Sequence, residues 1–335
     1  MPLVSVIVPT FNAGESLIET IRSALDQSFR DMEILVIDDG SSDDSAVEVL
    51  RRLGPDPERA ETLWRQRTAS STGACGFGFW TRDLALQYVY QSNRGMGTAR
   101  NRGLQLSQGE YIAFLEPEYI WDKDHLQHQI DFFNERTDAW ISHGRVVPFM
   151  RSVPRNGKKK PRGATAMEFT EVVAGTGVCA SAIVIRRRCL ESHGYFDENL
   201  PSCEDYDLWI RIAAHMPIYQ IPEAIVHQKR SPSIPSWSLD RYRVYALEKA
   251  FQSGHLNSEQ RHRVAEEVVE RCDILVDGYR KRNNTERANF YDRKKKKFEI
   301  EVAKLGLSGA VHSSSRAERA GISYEESDLS PTGRL

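Results

Sequence analysis

Two glutamates close the apolar run Tyr111–Leu115: Glu116 and Glu118 flank Pro117 in "LEPEY". Carboxylates two residues apart on a turning chain can reach one hard cation, and Pro117 restricts the backbone between them. Mg2+ and Mn2+ take oxygen ligands, typically one or two carboxylates plus substrate phosphates. Read alone, an E-x-E is more often a solvated turn. Asp38 and Asp39 end a second apolar run, "MEILVIDDG". They read either as a turn leading through Gly40 and Ser41 into a helix, or as acceptors for a nucleobase imide or ribose hydroxyl. "SCEDYDLWIR" offers Ser202 as a helix cap with Asp205 three positions on and Glu204 beside it. Capping explains the stretch by itself, yet a carboxylate there, near Trp209, can also serve as general base for a hydroxyl. In "NRGMGTARNRG", Asn93 and Gly95 open a loop where the backbone can approach a ligand, with Arg100 or Arg102 facing a diphosphate. The dinucleotide fingerprint fails there, because Arg100 stands where the third glycine is needed. His227, Lys229 and Arg230 in "IVHQKRSPS" form a further phosphate-binding candidate, against the commoner structural role of a lone histidine.

Such groups act together only if a scaffold gathers strand ends. "LVSVIVP" (3–9) reads as a buried strand and "GESLIETIRSALDQ" (14–27) has helical apolar spacing. The rhythm repeats: strand 32–40 then helix, strand 86–92 then helix 96–107, strand 111–116 then helix 121–136. Near-continuous apolar strands alternating with helices predict an α/β fold, a mainly parallel sheet covered on both faces. In such sheets ligands bind outside the carboxyl ends of the strands, where "PTFN", "DDGS" and "EPE" fall. A further strand and helix follow at 177–194, and 204–216 is a short amphipathic helix. Residues 54–85 interrupt the rhythm as a polar, Gly/Ser/Thr-containing insertion, read as a floppy loop or as a lid. From 238 to 306 only helical periodicity remains, suited to packing or homo-oligomer contacts. Residues 307–335 lack an apolar period and read as disordered. The expected division is 1–237, 238–306 and 307–335.

Composition removes several classes. The formal charge of −2 over 335 residues favours neither nucleic acid nor a membrane globally. The basic run 151–163 reads as solvated, with contact to an anionic acceptor or a membrane headgroup as the alternative. Five scattered cysteines with no C-x-x-C pair argue against a disulfide framework and structural zinc. The N-terminal apolar run is too short for a signal peptide, and no stretch reaches the roughly 20 apolar residues of a membrane span. The expectation is a cytoplasmic protein, with peripheral membrane contact left open.

"VSVIVPTFN", "EILVIDDGSSDDS", "NRGMGTARNRGLQLSQGEYIAFLEPEYIW" and "EDYDLWIR", in this order over residues 3–235, resemble family 2 glycosyltransferases of GT-A fold. The resemblance implies inverting transfer of a sugar from a nucleotide-diphosphate donor, UDP first among the bases, to a hydroxyl acceptor, assisted by Mn2+ or Mg2+. It implies donor contacts at Pro9, Thr10, Asn12, Asp38, Asp39, Asn93, Gly95, Arg100 and Glu116. The cation falls to Glu118 with Glu116, the general base to Asp205 with Glu204 as its neighbour, and a diphosphate contact to His227, Lys229 and Arg230. The chain departs from the family at one motif: "L-E-P-E-Y" stands where "L-D-A-D-D" is usual. Glutamate keeps the charge but reaches about an ångström further, and Tyr119 replaces a third acid. A retained metal site is expected. The alternatives are a non-catalytic nucleotide-sugar binder, or a nucleotidyltransferase. "PTFNAGES" lacks the basic loop expected of the latter. The acceptor, whether glycan, lipid-linked or peptide, stays open.

Overall fold

The structure, a computed structural model, describes residues 1–54, 78–81, 85–149, 163–175, 177–229 and 236–319. In chain order the first elements are β1 (Val4–Thr10), α1 (Glu15–Leu25), β2 (Met32–Asp38), α2 (Ser45–Leu53), β3 (Gly78–Thr81), β4 (Leu86–Tyr90) and α3 (Met96–Leu106). Next come β5 (Tyr111–Phe114), β6 (Tyr119–Trp121), α4 (His125–Glu135), β7 (Ile141–Pro148), β8 (Thr165–Met167) and α5 (Phe169–Val173). The rest are β9 (Ile183–Arg186), α6 (Arg187–His193), α7 (Glu204–Ala213), β10 (Ile218–Gln228), α8 (Ser236–Gln252), α9 (Ser258–Arg280) and α10 (Thr285–Arg319).

Every residue of β1 is buried, as a continuous β-branched run requires when helices cover both faces of a sheet. It pairs in parallel with β2 and β5, and β2 pairs in parallel with β4. That parallel block is the part the alternating pattern predicts. Beyond β5 the sheet is mixed. β9 runs antiparallel to both β5 and β7, β10 is parallel to β7, and β6 and β8 pair antiparallel with β10. The order is β3-β4-β2-β1-β5-β9-β7-β10-β6, so β1, β2, β4, β5, β7 and β10 share one direction. Parallel register sets Thr10 level with Asp38, bringing the ends of β1 and β2 to one rim.

Alternate side chains of β1 feed two cores. Val4, Val6 and Val8 pack with Leu17 and Ile21 of α1, Val49 of α2 and Phe133 of α4. Ile7 packs on the other face with Leu104 of α3, Leu190 of α6 and Leu208 and Trp209 of α7. Helix α3 lies so close to β1 that a Cβ at Gly103 would come within 2.4 Å of Ile7 Cγ2. Only glycine allows that approach.

Two compact units divide the chain, Met1–His255 and Leu256–Leu335. Helix α8 lies in the first, beyond the 237 boundary expected from composition. Lys249 Nζ of α8 donates to Asp197 at 2.6 Å and to Asp207 at 3.1 Å. In the second unit, α9 opens on a capping box between Asn257 and Gln260, and α10 continues through Arg319, past the 306 limit read from periodicity. Most of the 54–85 insertion, residues 151–162 of the basic run and residues 320–335 lie outside the described residues. Among the described residues no helix is long and apolar enough to cross a membrane.

Two imidazoles are buried here, His125 on α4 and His143 on β7. Burial, with mutual repulsion at His125, lowers His125 to about 3 and His143 to about 4, from an ordinary 6.5. Unfolding therefore takes up protons below pH 6.5, and stability falls as pH drops from 6.5 toward 4. Each imidazole adds a slope of up to about 1.4 kcal/mol per pH unit in that window. Denaturant unfolding at pH 7 and pH 5 should show the loss; equal stability at both would contradict it.

Candidate active site

Three loops meet at the carboxyl rim of β1 and β2. After β1, Asn12 adopts a left-handed backbone (φ 48°), and its Oδ1 accepts from the Ser42 N–H at 2.8 Å and the Asp43 N–H at 3.3 Å. After β2, both Asp38 oxygens are engaged: Ser41 N–H donates at 2.8 Å and Tyr88 Oη at 2.5 Å. Asp39 accepts from Gln91 Nε2 at 2.8 Å, Arg94 N–H at 3.0 Å and Gly95 N–H at 2.8 Å. Gly40 has φ 87°, and a Cβ there would meet the Asn93 nitrogen at 2.7 Å, so glycine is needed twice over. Asp39 ties the loop bearing Arg94 and Gly95 to the end of β2, while Asp38 bonds Ser41 of its own turn and Tyr88 of β4; the turn runs on to Asp44, so α2 starts at Ser45 and not at Gly40 and Ser41. Pro9 is buried within β1, and Asn93 is exposed. Thr10 Oγ1 is buried and without a hydrogen-bond partner among the described residues. A buried hydroxyl left so is costly, and a bound polar ligand would relieve it.

The "EPE" turn is clamped from several sides. Glu116 N–H donates to Ser181 Oγ at 3.0 Å, and Pro117 O accepts from Ser16 Oγ at 2.6 Å and Thr20 Oγ1 at 3.0 Å. The Lys229 N–H donates to Glu118 O at 2.8 Å. The Glu118 side chain is exposed. Lys229 Nζ turns to Ser16 O at 2.8 Å and Glu19 at 3.2 Å, and His227 Nε2 bonds Asp122 Oδ1 at 2.6 Å. Both side chains expected at a diphosphate therefore hold protein groups, and Arg230 lies outside the described residues.

Arg100 also departs from expectation. Its guanidinium, 4% exposed, reaches Glu204 through Nη1 and Glu116 through Nη2. A buried guanidinium needs paired carboxylates to offset desolvation, so it faces protein acids instead of an open diphosphate site. Arg102 points to Gln105 at 3.3 Å.

The first turn of α7 holds Glu204, Asp205 and Asp207, a placement the helix dipole favours. Its cap is Cys203, not Ser202: Cys203 takes a left-handed conformation (φ 62°, ψ 22°) and makes no side-chain cap bond. Asp205 and Glu116 line one cavity of about 440 Å³ with Arg100, Tyr119, Trp209 and Arg243. Burial raises the Asp205 carboxyl, the neighbouring Glu204 raises it further, and Arg100 opposes both. Burial likewise raises Glu116 against the pull of Arg100. Trp209 Nε1 is buried and without a partner among the described residues. Sequence reasoning missed Ser181, Tyr88, Ser16, Thr20 and the α8 wall. Only Tyr88, on an alternating strand, had a pattern that could have shown it.

The family described as "Glycosyl transferase family 2" matches residues 5–194, and "Glycosyltransferase like family 2" matches 166–252. An uncharacterized glycosyltransferase of Rickettsia conorii is 28% identical over 234 residues, covering 68% of this chain and 34% of that protein. The chain thus spans about a third of that relative's length. The 1–349 portion of TarS from S. aureus, in complex with UDP-GlcNAc, superposes with a TM-score of 0.53 at 14% identity, covering 89% of this chain and 92% of that one. A mannosyltransferase of Pyrobaculum calidifontis, in complex with GDP-Man and Mn2+, gives a TM-score of 0.50 at 17% identity, covering 91% and 87%. At these identities the two structures speak for the fold alone. With its matched segment containing the loops of the β1–β2 rim and the "EPE" turn, the chain belongs to glycosyl transferase family 2 and has the GT-A fold.

Proposed function

We propose that this protein transfers a sugar from a nucleoside-diphosphate donor, a UDP-sugar foremost, to an acceptor hydroxyl with inversion. The observation that carries the reading is the meeting of Asp205 with the Glu116–Glu118 turn at one cavity, in a chain of this family. In the transfer, the acceptor oxygen bonds the anomeric carbon, the bond from that carbon to the diphosphate breaks, and the hydroxyl proton passes to Asp205. Inversion by direct displacement requires one base and no covalent sugar–protein intermediate. A base is most effective when its pKa lies near the working pH, and the raised Asp205 carboxyl moves that way. Thr10, whose hydroxyl has no partner among the described residues, and the loop locked by Asp39 offer the nucleotide a polar seat.

A divalent cation fits the donor set. Among the described residues no cluster of three or more His, Cys, Asp or Glu could hold a metal alone. Mg2+ and Mn2+ do not require one, since substrate phosphates and water complete their coordination. Glu118, exposed on a clamped turn, would supply the hard oxygen, and Glu116 is drawn toward Arg100. When bound, the cation would offset the charge growing on the departing diphosphate.

Asp205→Asn should lower turnover by at least about 100-fold, the scale of a positioned base, while UDP affinity by calorimetry stays within a few-fold. Near-wild-type turnover in that variant would remove Asp205 from the chemistry. Because burial raises the Asp205 carboxyl, activity should climb with pH through an acid limb above the ordinary 3.8 of aspartate. A limb at or below that value would contradict the assignment. Chelation by EDTA should stop sugar transfer and Mn2+ should restore it. Glu118→Gln should weaken Mn2+ binding about tenfold or more, and unchanged affinity would exclude Glu118 as a ligand.

A further inference from the structure

Arg100 joins two segments that the chain brings together only on folding. Glu116 follows β5 and Glu204 opens α7, and the guanidinium holds one oxygen of each. Its carbon lies 5.2 Å from the centroid of the Phe196 ring, which is itself packed edge-on against Phe114 at 5.2 Å and Trp209 at 6.3 Å. A cation over an aromatic face is attracted to it, so this floor restrains the guanidinium plane. One turn earlier on α3, a Cβ at Gly97 would lie 3.4 Å from Glu204 Cγ, so the helix itself abuts the start of α7. The two acids thus meet a restrained fork and not a mobile side chain.

Resting on the reading above, we propose that Arg100 is a positioning residue for the transfer. Through Glu116 and Glu204 it fixes the distance between the cation-binding turn and the Asp205 base. Its fork geometry matters as much as its charge, because two carboxylates are held at once in a set direction. A lysine ammonium is a point charge on a flexible stem and cannot reproduce that hold. The charge has its own effect. Arg100 opposes the burial and the Glu204 repulsion that raise Asp205. Without a cation at this position Asp205 would stay protonated to higher pH and be unavailable as a base. Arg100 touches no reacting atom on this proposal; it acts through its two acids.

Two variants separate geometry from charge. Arg100→Lys keeps the charge and loses the fork: kcat should fall about 10- to 100-fold, the scale of a small misplacement, with donor KM within about threefold and the acid limb unmoved. Arg100→Gln removes the charge: the acid limb of kcat, and the carboxyl titration of Asp205 followed by 13C NMR with UDP bound, should move up by about one pH unit or more. Wild-type kcat in Arg100→Lys would overturn the geometric role. An unshifted Asp205 titration in a folded Arg100→Gln protein would overturn the electrostatic one. If Arg100→Gln fails to fold, Arg100→Lys with its KM-against-kcat split still decides. The NMR titration needs no turnover, so failure of the proposed transfer itself would appear separately, as no sugar transfer by the wild-type protein.

Discussion

A guanidinium buried in a protein interior must be surrounded by acceptors, and the acids that satisfy it are then held in place. That exchange organises the candidate site. Arg100 satisfies its charge with Glu116 and Glu204, and in doing so joins the end of β5 to the start of α7. Glu116, Glu204 and Asp205 gather around Arg100. Burial raises the carboxyl of Asp205, Glu204 raises it further, and Arg100 opposes both. Each carboxylate would be costly to bury alone. Arg100 offsets that cost for Glu116 and Glu204 by pairing with both.

The sheet makes that convergence possible. Parallel β1, β2 and β5 all end at one rim, so the loops after them share a space although they lie far apart in sequence. The antiparallel insertion of β9 between β5 and β7 then delivers Ser181, which holds the Glu116 backbone, and Cys179, which lines the cavity. Helix α8 adds Leu239 and Arg243 to the wall. The site therefore draws on both the parallel block and the mixed half of the sheet.

Much of this was legible before any coordinates. The α/β rhythm follows from apolar periodicity, Asp38, Asp39, Glu116 and Glu118 stand out as acids ending apolar runs, and Asp205 as an acid three positions after a cap candidate, Ser202. What stayed hidden depends on tertiary distance or on backbone conformation. Arg100 meets Glu204 across 104 residues, a pairing that no local window contains. Ser181 is an unremarkable serine until the β9 crossover places it beside Glu116. Cys203 took the cap position expected for Ser202 because the backbone enters α7 through a left-handed turn, which cysteine has no composition signal to announce. The change from a parallel to a mixed sheet beyond β5 was equally invisible, since buried strands of either direction read as apolar runs.

The most direct measurement is a crystal structure with UDP and manganese, using anomalous scattering to locate the metal. The expected result is manganese coordinated by a Glu118 oxygen and the UDP diphosphate, with Asp205 facing the same cavity. A diphosphate bound elsewhere, or a Glu118 carboxylate turned to solvent with no metal beside it, would contradict this assignment of the site.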